Sequence, residues 1–341
     1  MRVNREEFLH CLESVEPGIS EKNIVEQSGC FVFEEGFVCT FNDEVACRFR
    51  SFLDKSFKGA VRAKPLLNLL RKLVEDDIRI ELGTSEMLVF GKGGRKSGIC
   101  LESELSLPIS EIDKPEVWKQ LPEDFPDAIN VVHQCASKDE SMNITFVHLH
   151  PRYIEASDNF QICRWRLKTG LTESVLVRPS AIKNIPMLGM TEFSETPNWL
   201  HFRNPNGLSL SCRRYAEDYP DFKEALRVEG TPTVLPKGLV EAVDRATVFT
   251  EEDSDANQIL VNLRHNRVKI RGQGSHGWYE EPKKINYDGQ PLQFMISPKL
   301  LIDIVKKHNE CLVSSDKLRV NGGNYVYVAC LISDDTEIKE E

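Results

Sequence analysis

No run of the sequence is apolar and long enough to span a bilayer, and the first twenty residues, with Glu6, Glu7, Glu13 and Glu16, lack the basic start and apolar stretch of a secretory signal. The expectation is a soluble cytoplasmic protein with no membrane partner. There is no C-x-x-C pair. The ten cysteines (Cys11, Cys30, Cys39, Cys47, Cys100, Cys135, Cys163, Cys212, Cys311 and Cys330) lie scattered in strand-like or helix-like apolar runs, which predicts reduced, packed thiols. There is also no excess of base. A net charge of -10 excludes a protein that coats nucleic acid by bulk attraction, although an acidic exterior can coexist with a local basic surface.

Motifs that carry chemistry are missing as well. Gly272-Gln273-Gly274-Ser275-His276-Gly277 has the spacing of a dinucleotide fingerprint, but the residues that follow, Trp278 to Pro282, are extended where that motif must open a helix. Gly91-Lys92-Gly93-Gly94-Arg95-Lys96-Ser97 resembles a phosphate loop by composition, yet Arg95 replaces the glycine before Lys-Ser, and strand-like segments flank it. His148 and His150 have no third ligand at a recognisable spacing. No nucleophile elbow or H-E-x-x-H is present, so no catalytic residue, metal or cofactor is expected.

What is present is a pattern that recurs about every 115 residues. The segments starting at Val61, Val177 and Ile296 align without a gap as an extended residue followed by an amphipathic helix, with Asn68, Asn184 and Asp303 at one shared position and Pro179 and Pro298 at helix starts. About 55 residues before each lies another one-sided helix, around Phe8 to Leu12, Ala128 to Val132 and Leu239 to Val243. Strand-like segments lie between and after them: Gly29 to Val38, Ile78 to Phe90, Ile144 to His150, Leu208 to Cys212, Gln258 to Leu263 and Tyr325 to Ile332. Three similar α+β domains follow, over 1–112, 123–230 and 231–333, with a linker at 113–122 and an acidic tail at 334–341.

The second helix of each repeat carries polar and basic groups opposite its apolar stripe. Asn68, Arg71 and Lys72 cluster in the first, Lys299, Asp303, Lys306 and Lys307 in the third, and Lys183 is their expected counterpart in the middle. Lys237 and Arg245 add base to the first helix of the third repeat, whereas Glu6, Glu7 and Glu13 oppose it in the first. A surface of this kind would contact phosphates and read no bases.

At residue level the chain resembles the bacterial-type beta sliding clamp, the processivity subunit of replicative DNA polymerase III. Tyr219-Pro220-Asp221-Phe222 is similar to the family's F-P-D-Y segment, Ala156-Ser157-Asp158-Asn159-Phe160-Gln161-Ile162 to its A-T-D-G-H-R-L strand and turn, and the glycine-basic turn at 91–98 falls at one of its hairpins. The helix Leu239 to Phe249 also matches.

The resemblance implies three clamp domains, each with two helices packed on antiparallel sheets, and a ring closed by head-to-tail dimerisation around double-stranded DNA. Its partners would be a replicative DNA polymerase, an ATP-driven clamp loader and a second copy of itself. The family's partner pocket maps to Ser157, Asn159, Phe160, Gln161, Ile162, Pro220, Ala225, Ser297, Leu300, Val328, Cys330, Leu331 and Ile332. Its subunit interface maps to Val248 and Phe249 on one side and to Gly98, where the family has an aromatic, with Ile99 on the other. Lys22 and Lys138 fall in loops that approach DNA in the family. Asn159-Phe160-Gln161 in place of Gly-His-Arg implies a different peptide preference, and Gly98 a weaker or differently built closure. The competing readings are a clamp-like monomer that binds polymerase partners without encircling DNA, and a nucleotide-using enzyme built on the Gly272 loop.

Overall fold

The computed structural model describes residues 1–20, 22, 25–139, 143–250 and 258–333. The expected acidic tail at 334–341 lies outside them.

Three repeats with one element order emerge. The first is β1 (Arg2–Asn4), α1 (Arg5–Val15), β2 (Cys30–Glu34), β3 (Phe37–Phe41), β4 (Val45–Arg50), β5 (Gly59–Arg62), α2 (Ala63–Lys72), β6 (Asp77–Leu82), β7 (Glu86–Phe90) and β8 (Lys96–Glu102). The second is β9 (Lys119–Gln120), α3 (Phe125–Val132), β10 (Val147–His150), β11 (Tyr153–Ser157), β12 (Gln161–Arg166), β13 (Val175–Val177), α4 (Pro179–Ile182), β14 (Glu192–Glu195), β15 (Trp199–Arg203) and β16 (Ser209–Arg213). The third is β17 (Thr231–Val234), α5 (Leu239–Thr247), β18 (Ile259–Arg264), β19 (Arg267–Gly274), β20 (Gly277–Lys284), β21 (Leu292–Ile296), α6 (Pro298–Lys307), β22 (Glu310–Val313), β23 (Lys317–Asn321), β24 (Tyr325–Cys330) and β25 (Ile332–Ser333). Each strand-like segment expected from the sequence contains a strand, although Ile144 to Phe146 form the turn before β10, and 29–38 and 78–90 each hold two strands parted by a turn.

The chain divides into two compact units. The first holds Met1–His133, Phe146–Arg152 and Lys168–Glu217. Its 12-stranded sheet runs β1-β6-β7-β8-β5-β2-β3-β4-β16-β15-β14-β9, with β4 paired to β16 from Val45↔Cys212 to Arg48↔Ser209. The second unit takes Gln134–Thr145, Tyr153–Leu167 and the chain from Asp218 onward. There β11, β12, β24, β23, β22 and β17 lie side by side, with β12 paired to β24 from Gln161↔Ala329 to Trp165↔Tyr325. The division cuts the middle repeat because β16 and β12 each bond to a strand of a different neighbouring repeat.

Local chemistry explains the helices. Asn4 caps α1 by accepting the Glu7 N–H at 3.0 Å. Phe8 and Leu12 of α1 and Leu66 and Leu70 of α2 are fully buried, and Phe8 stacks on Phe33 of β2 at 6.4 Å. In the second unit, Leu239 and Val243 of α5 and Leu301 and Ile304 of α6 share one core with Val261, Ile270 and Phe294 of the sheet. Truncating Leu301 to Ala there would cost about 3 kcal/mol.

The middle repeat departs from expectation, since its second helix is one turn long. Pro186 has no N–H to offer the Ile182 carbonyl, so the helix stops. The Asn184 side chain donates instead to the Ser180 and Ala181 carbonyls, each at 3.0 Å. The shared Asn or Asp position thus has a capping role in this repeat.

The motifs set aside in the sequence are turns. Gly272 to Gly277 forms the β19–β20 hairpin around Ser275 and His276. A side chain at Gly272 would come within 2.0 Å of the Ala246 carbonyl oxygen, so close approach to α5 explains that glycine. Gly93 and Gly94 carry positive φ in the turn before β8. Among the described residues no group of three metal-ligating side chains converges, and no helix is long and apolar enough to cross a membrane. Cys11, Cys47 and Cys311 are buried thiols whose pKa desolvation pushes up to about 12.

His201 of β15 is buried between Ser211 Oγ at 2.8 Å and Thr196 Oγ1 at 2.9 Å, and desolvation pulls its pKa down to about 4. The unfolded chain, with histidine near 6.5, binds the proton first as pH falls. Stability therefore declines from about pH 6.5 to about pH 4, by up to about 3 kcal/mol from this group. Urea midpoints measured at pH 7 and pH 5 should differ less in His201→Gln than in the parent chain.

Candidate functional site

The residues singled out in the sequence fall into two groups. The first is built on the β12–β24 junction. Ile162 opposes Val328, and both join Leu226, Val228 and Val326 in a buried cluster on which Phe222 and Ala225 pack. The segment Tyr219 to Val228 thus reaches the strand junction through its apolar residues. Tyr219 meets Phe222 edge-on at 5.7 Å, and burial raises its phenol pKa.

The turn between β11 and β12 is held by Asp158. Its carboxylate accepts from the Phe160 N–H at 2.7 Å, the Gln161 N–H at 2.8 Å and Gln161 Nε2 at 2.9 Å. Ser157 Oγ, fully buried, donates toward the Asp158 and Gln161 carbonyls at 2.8 and 2.9 Å. Gln161 Oε1 accepts from Tyr327 Oη at 2.9 Å, fixing the turn to β24. With its backbone fixed, the turn presents Phe160 outward at 44 % exposure, and Asn159 beside it is exposed too.

The mapped pocket residues divide by burial. Asn159, Phe160, Pro220 and Ile332 are exposed, and Gln161, Ala225, Ser297, Leu300 and Cys330 are half-buried. Ser157, Ile162, Val328 and Leu331 are buried and form floor or framework. The Cys330 N–H donates to the Phe160 carbonyl at 2.8 Å. Ile332 pairs with Met295 next to the start of α6, and Leu300 packs on the core that contains Leu331. Residues 328–332 therefore link the Phe160 turn to the α6 start. Asp158, Leu226, Val228 and Tyr327 were missed as site residues. Only the apolar alternation of 326 and 328 around Tyr327 could have pointed to it.

The basic residues form a less uniform set. Lys72, Lys306 and Lys307 lie exposed in the last turns of α2 and α6, where cations suit the helix dipole, and make no ion pair among the described residues. Lys22, Lys138 and Lys237 are also exposed and without an ion pair among them. Arg71 is different: its guanidinium bonds Glu13 at 3.0 Å and Glu16 at 3.1 Å, both from the α1 region. Arg245 is held by Glu281 at 2.7 Å and Tyr279 Oη at 2.9 Å. That network holds the Glu281 carboxyl down at about 2, through Lys283, Tyr279 and Arg245. Lys183 aligns with Leu67 and Ile302, so the middle repeat lacks the basic last turn expected from recurrence.

The expected interface residues come from two kinds of element. Val248, the exposed C-cap of α5, and Phe249 lie in the turn after that helix, and Phe249 stacks on Tyr279 of β20 at 6.5 Å. Gly98 and Ile99 belong to β8.

No family model matches the sequence, and no curated protein sequence matches it. Solved structures do match. The DNA polymerase III beta subunit of Thermotoga maritima superposes with a TM-score of 0.82 at 16% identity, covering 97% of this chain and 98% of that one. The DnaN sliding clamp of Bartonella birtlesii, solved bound to griselimycin, gives 0.85 at 14% identity over 98% and 99%. The Pseudomonas aeruginosa clamp bound to the same compound gives 0.81 at 15% over 97% and 98%.

The chain therefore has the DNA-clamp fold. The solved structures that share it at this coverage, 97–98% of the chain, are DNA polymerase III beta subunits.

The Asp158 network yields a structural test. Asp158→Ala should destabilise the protein by about 1–2 kcal/mol in urea unfolding and speed amide exchange at Phe160 and Gln161, with Asp158→Asn closer to the parent. Unchanged exchange would mean that the carboxylate does not hold the turn.

Proposed function

We propose that the chain is a DNA sliding clamp, a non-enzymatic ring that encircles duplex DNA and tethers a replicative polymerase. The observation that carries this reading is the near-complete match, over 97–98% of the chain, to DNA polymerase III beta subunits with TM-scores of 0.82 and 0.85. Three domains, at 1–112, 123–230 and 231–333, follow the three element sets, except that β9 (Lys119–Gln120) falls in the expected 113–122 linker. Two chains head to tail would close the ring, and an ATP-driven loader would open it.

The DNA-facing groups are Lys72, Lys306 and Lys307, with Lys22, Lys138 and Lys237 supporting. Their contacts go to phosphate, so binding is independent of sequence and falls with salt. Partners dock an apolar segment on the Phe160 turn, Pro220, Leu300 and Ile332, over the floor of Ile162 and Val328. That two clamps of this fold were solved with griselimycin supports a ligand-accepting surface on such proteins.

Two outcomes test the reading. Lys72→Glu, Lys306→Glu and Lys307→Glu together should lower retention on nicked circular DNA at least about tenfold and flatten its salt dependence, by about one unit of slope per lost phosphate contact. Retention equal to the parent's would remove these helices from the DNA surface. Phe160→Asp with Ile332→Asp, both at exposed positions, should abolish stimulation of the polymerase in a processivity assay while leaving the oligomeric mass unchanged. Intact stimulation would refute the docking surface, and a single-chain mass for the parent protein would favour the monomeric reading.

A further inference from the structure

The two junctions between repeats, β4 with β16 and β12 with β24, share one template but carry different side chains. The hairpins Phe37↔Arg50 and Tyr153↔Arg166 match in register, so Phe37, Cys39, Ala46 and Arg48 stand where Tyr153, Glu155, Ile162 and Arg164 stand at the second junction. Both arginines lie over the matching ring, Arg164 at 4.3 Å from the Tyr153 centroid and Arg48 at 3.6 Å from that of Phe37. Only Arg164 has an acid. Glu155, directly opposite on β11 and fully buried, accepts from its Nε at 2.7 Å and pairs with its Nη2 at 2.6 Å. At the first junction Cys39 takes that place. Burial pushes its thiol up to about 11, so a neutral sulfur meets Arg48 and the cation has no ion pair among the described residues.

The neighbouring strands extend the contrast. On β24 the residues opposite Arg164 and Ile162 are Val326 and Val328, and Leu226 and Val228 close over them. On β16 the residues opposite Arg48 and Ala46 are Ser209 and Ser211. The chain between β8 and β9 also crosses its junction, but its Leu105, Leu107, Ile109 and Ile112 pack with Phe41, Ala46 and Trp199. What stays open is a hollow of about 490 Å³, wholly within the first unit. Phe37, Cys39, Arg48, Ser209 and Ser211 line it from the sheet, and Ile112 and Trp118 from the connecting chain.

The charges at the hollow are complementary to an anion. Of the acids that line it, Glu34 is held by Lys58 at 2.9 Å, Asp113 accepts the Asn198 N–H at 2.9 Å, and Glu35 is exposed at the β2–β3 turn. His201, its pKa drawn down to about 4 by burial, is neutral at pH 7. Lys114 adds a second cation without an ion pair among the described residues. With serines in place of two valines, the floor also holds an ionised group at lower cost than the second junction would.

We propose that this hollow is a second partner site, which takes an extended segment of another protein with two aliphatic residues two positions apart and a flanking carboxylate for Arg48. Such a segment supplies from outside what Glu155, Leu226 and Val228 supply from within the chain at the second junction. The aliphatic pair lies against Phe37, Ile112 and Trp118, and the carboxylate completes the stacked arginine as Glu155 does for Arg164. A small free acid would engage Arg48 but leave most of a hollow this size empty, which favours a chain segment. The site belongs to a different junction from the Phe160 surface and stands whether or not the chain closes a ring.

The probe is a fluorescein-labelled peptide with the sequence of Glu224 to Glu229 (EALRVE), which has the required pattern, titrated against the full chain and read by anisotropy. Binding should saturate, and it should weaken at least about tenfold when both peptide glutamates become glutamine or when the protein carries Arg48→Gln. Cys39→Glu, which rebuilds the ion pair of the second junction, should abolish it, whereas Phe160→Asp with Ile332→Asp should leave it unchanged. Arg48 is exposed, so Arg48→Gln spares the core and decides alone if Cys39→Glu does not fold. No saturable binding, binding indifferent to Arg48→Gln, or binding lost instead with the Phe160 and Ile332 changes would overturn the site. Arg48-dependent binding of 3-phenylpropionate without binding of the peptide would overturn the partner segment in favour of a free acid.

Discussion

The structure depends on one repeated interaction, the antiparallel bonding of the fourth strand of a repeat to the eighth strand of the following one. Where β4 meets β16 and where β12 meets β24, backbone N–H and C=O groups that would otherwise form open sheet edges are satisfied by another repeat. This bonding is strong enough to decide how the chain divides. The middle repeat gives β16 to one compact unit and β12 to the other, so its own integrity as a domain is less evident in space than in sequence order. The candidate docking surface is a by-product of the same bonding. Val328 reaches Ile162 because β24 is hydrogen-bonded to β12, and Leu226 and Val228 then cover the join.

Much of this was legible in the sequence because it is local. Apolar periodicity at Phe8, Leu66, Leu239 and Leu301 identified helices that must lie on a sheet, and the positive φ at Glu35, Gly36 and Gly323 falls in short Glu-Gly and Asn-Gly-Gly segments, residue types that favour turns. Gly272 to Gly277 was recognisable as a hairpin because nothing after it could open a helix. What the sequence hid is non-local. That Arg71 is paired with Glu13 and Glu16, 58 and 55 residues earlier, depends on α1 and α2 packing side by side, which periodicity alone does not orient. Pro186 was visible, but its effect on Lys183 was masked by a gapless alignment that made the middle helix look like the other two. The division of the docking surface into exposed Phe160 and Ile332 and buried Ile162 and Leu331 likewise required the tertiary fold.

The pairing of Arg71 bears on how an acidic protein would act on DNA. Two carboxylates on one guanidinium leave no net positive charge at that turn, and the middle repeat has no basic last turn at all. Six lysines remain in the proposed set, Lys22, Lys72, Lys138, Lys237, Lys306 and Lys307, against a chain whose net charge is -10. Such a surface attracts a polyanion weakly, because affinity grows with the number of phosphates neutralised. For a protein that must bind by equilibrium contact this would be a defect. For a closed ring it is not, since retention then comes from topology and each contact must be weak enough to exchange as the ring moves.

The same reasoning transfers the demand for strength from the DNA surface to the ring's seam. If the contacts of the proposed ring to DNA are weak, residence on it would be set by how seldom the seam opens, and the residue that matches the family's aromatic anchor there is Gly98. On the implied opposite side Phe249 stacks on Tyr279, and the neighbouring acids of β20 are already engaged, Glu280 by Lys269 and Arg271 and Glu281 by Arg245 and Lys283. A seam of the proposed ring that lacks a packed aromatic anchor would resist separation less than an apolar core and respond more to salt, so a loader would open it without unfolding either edge.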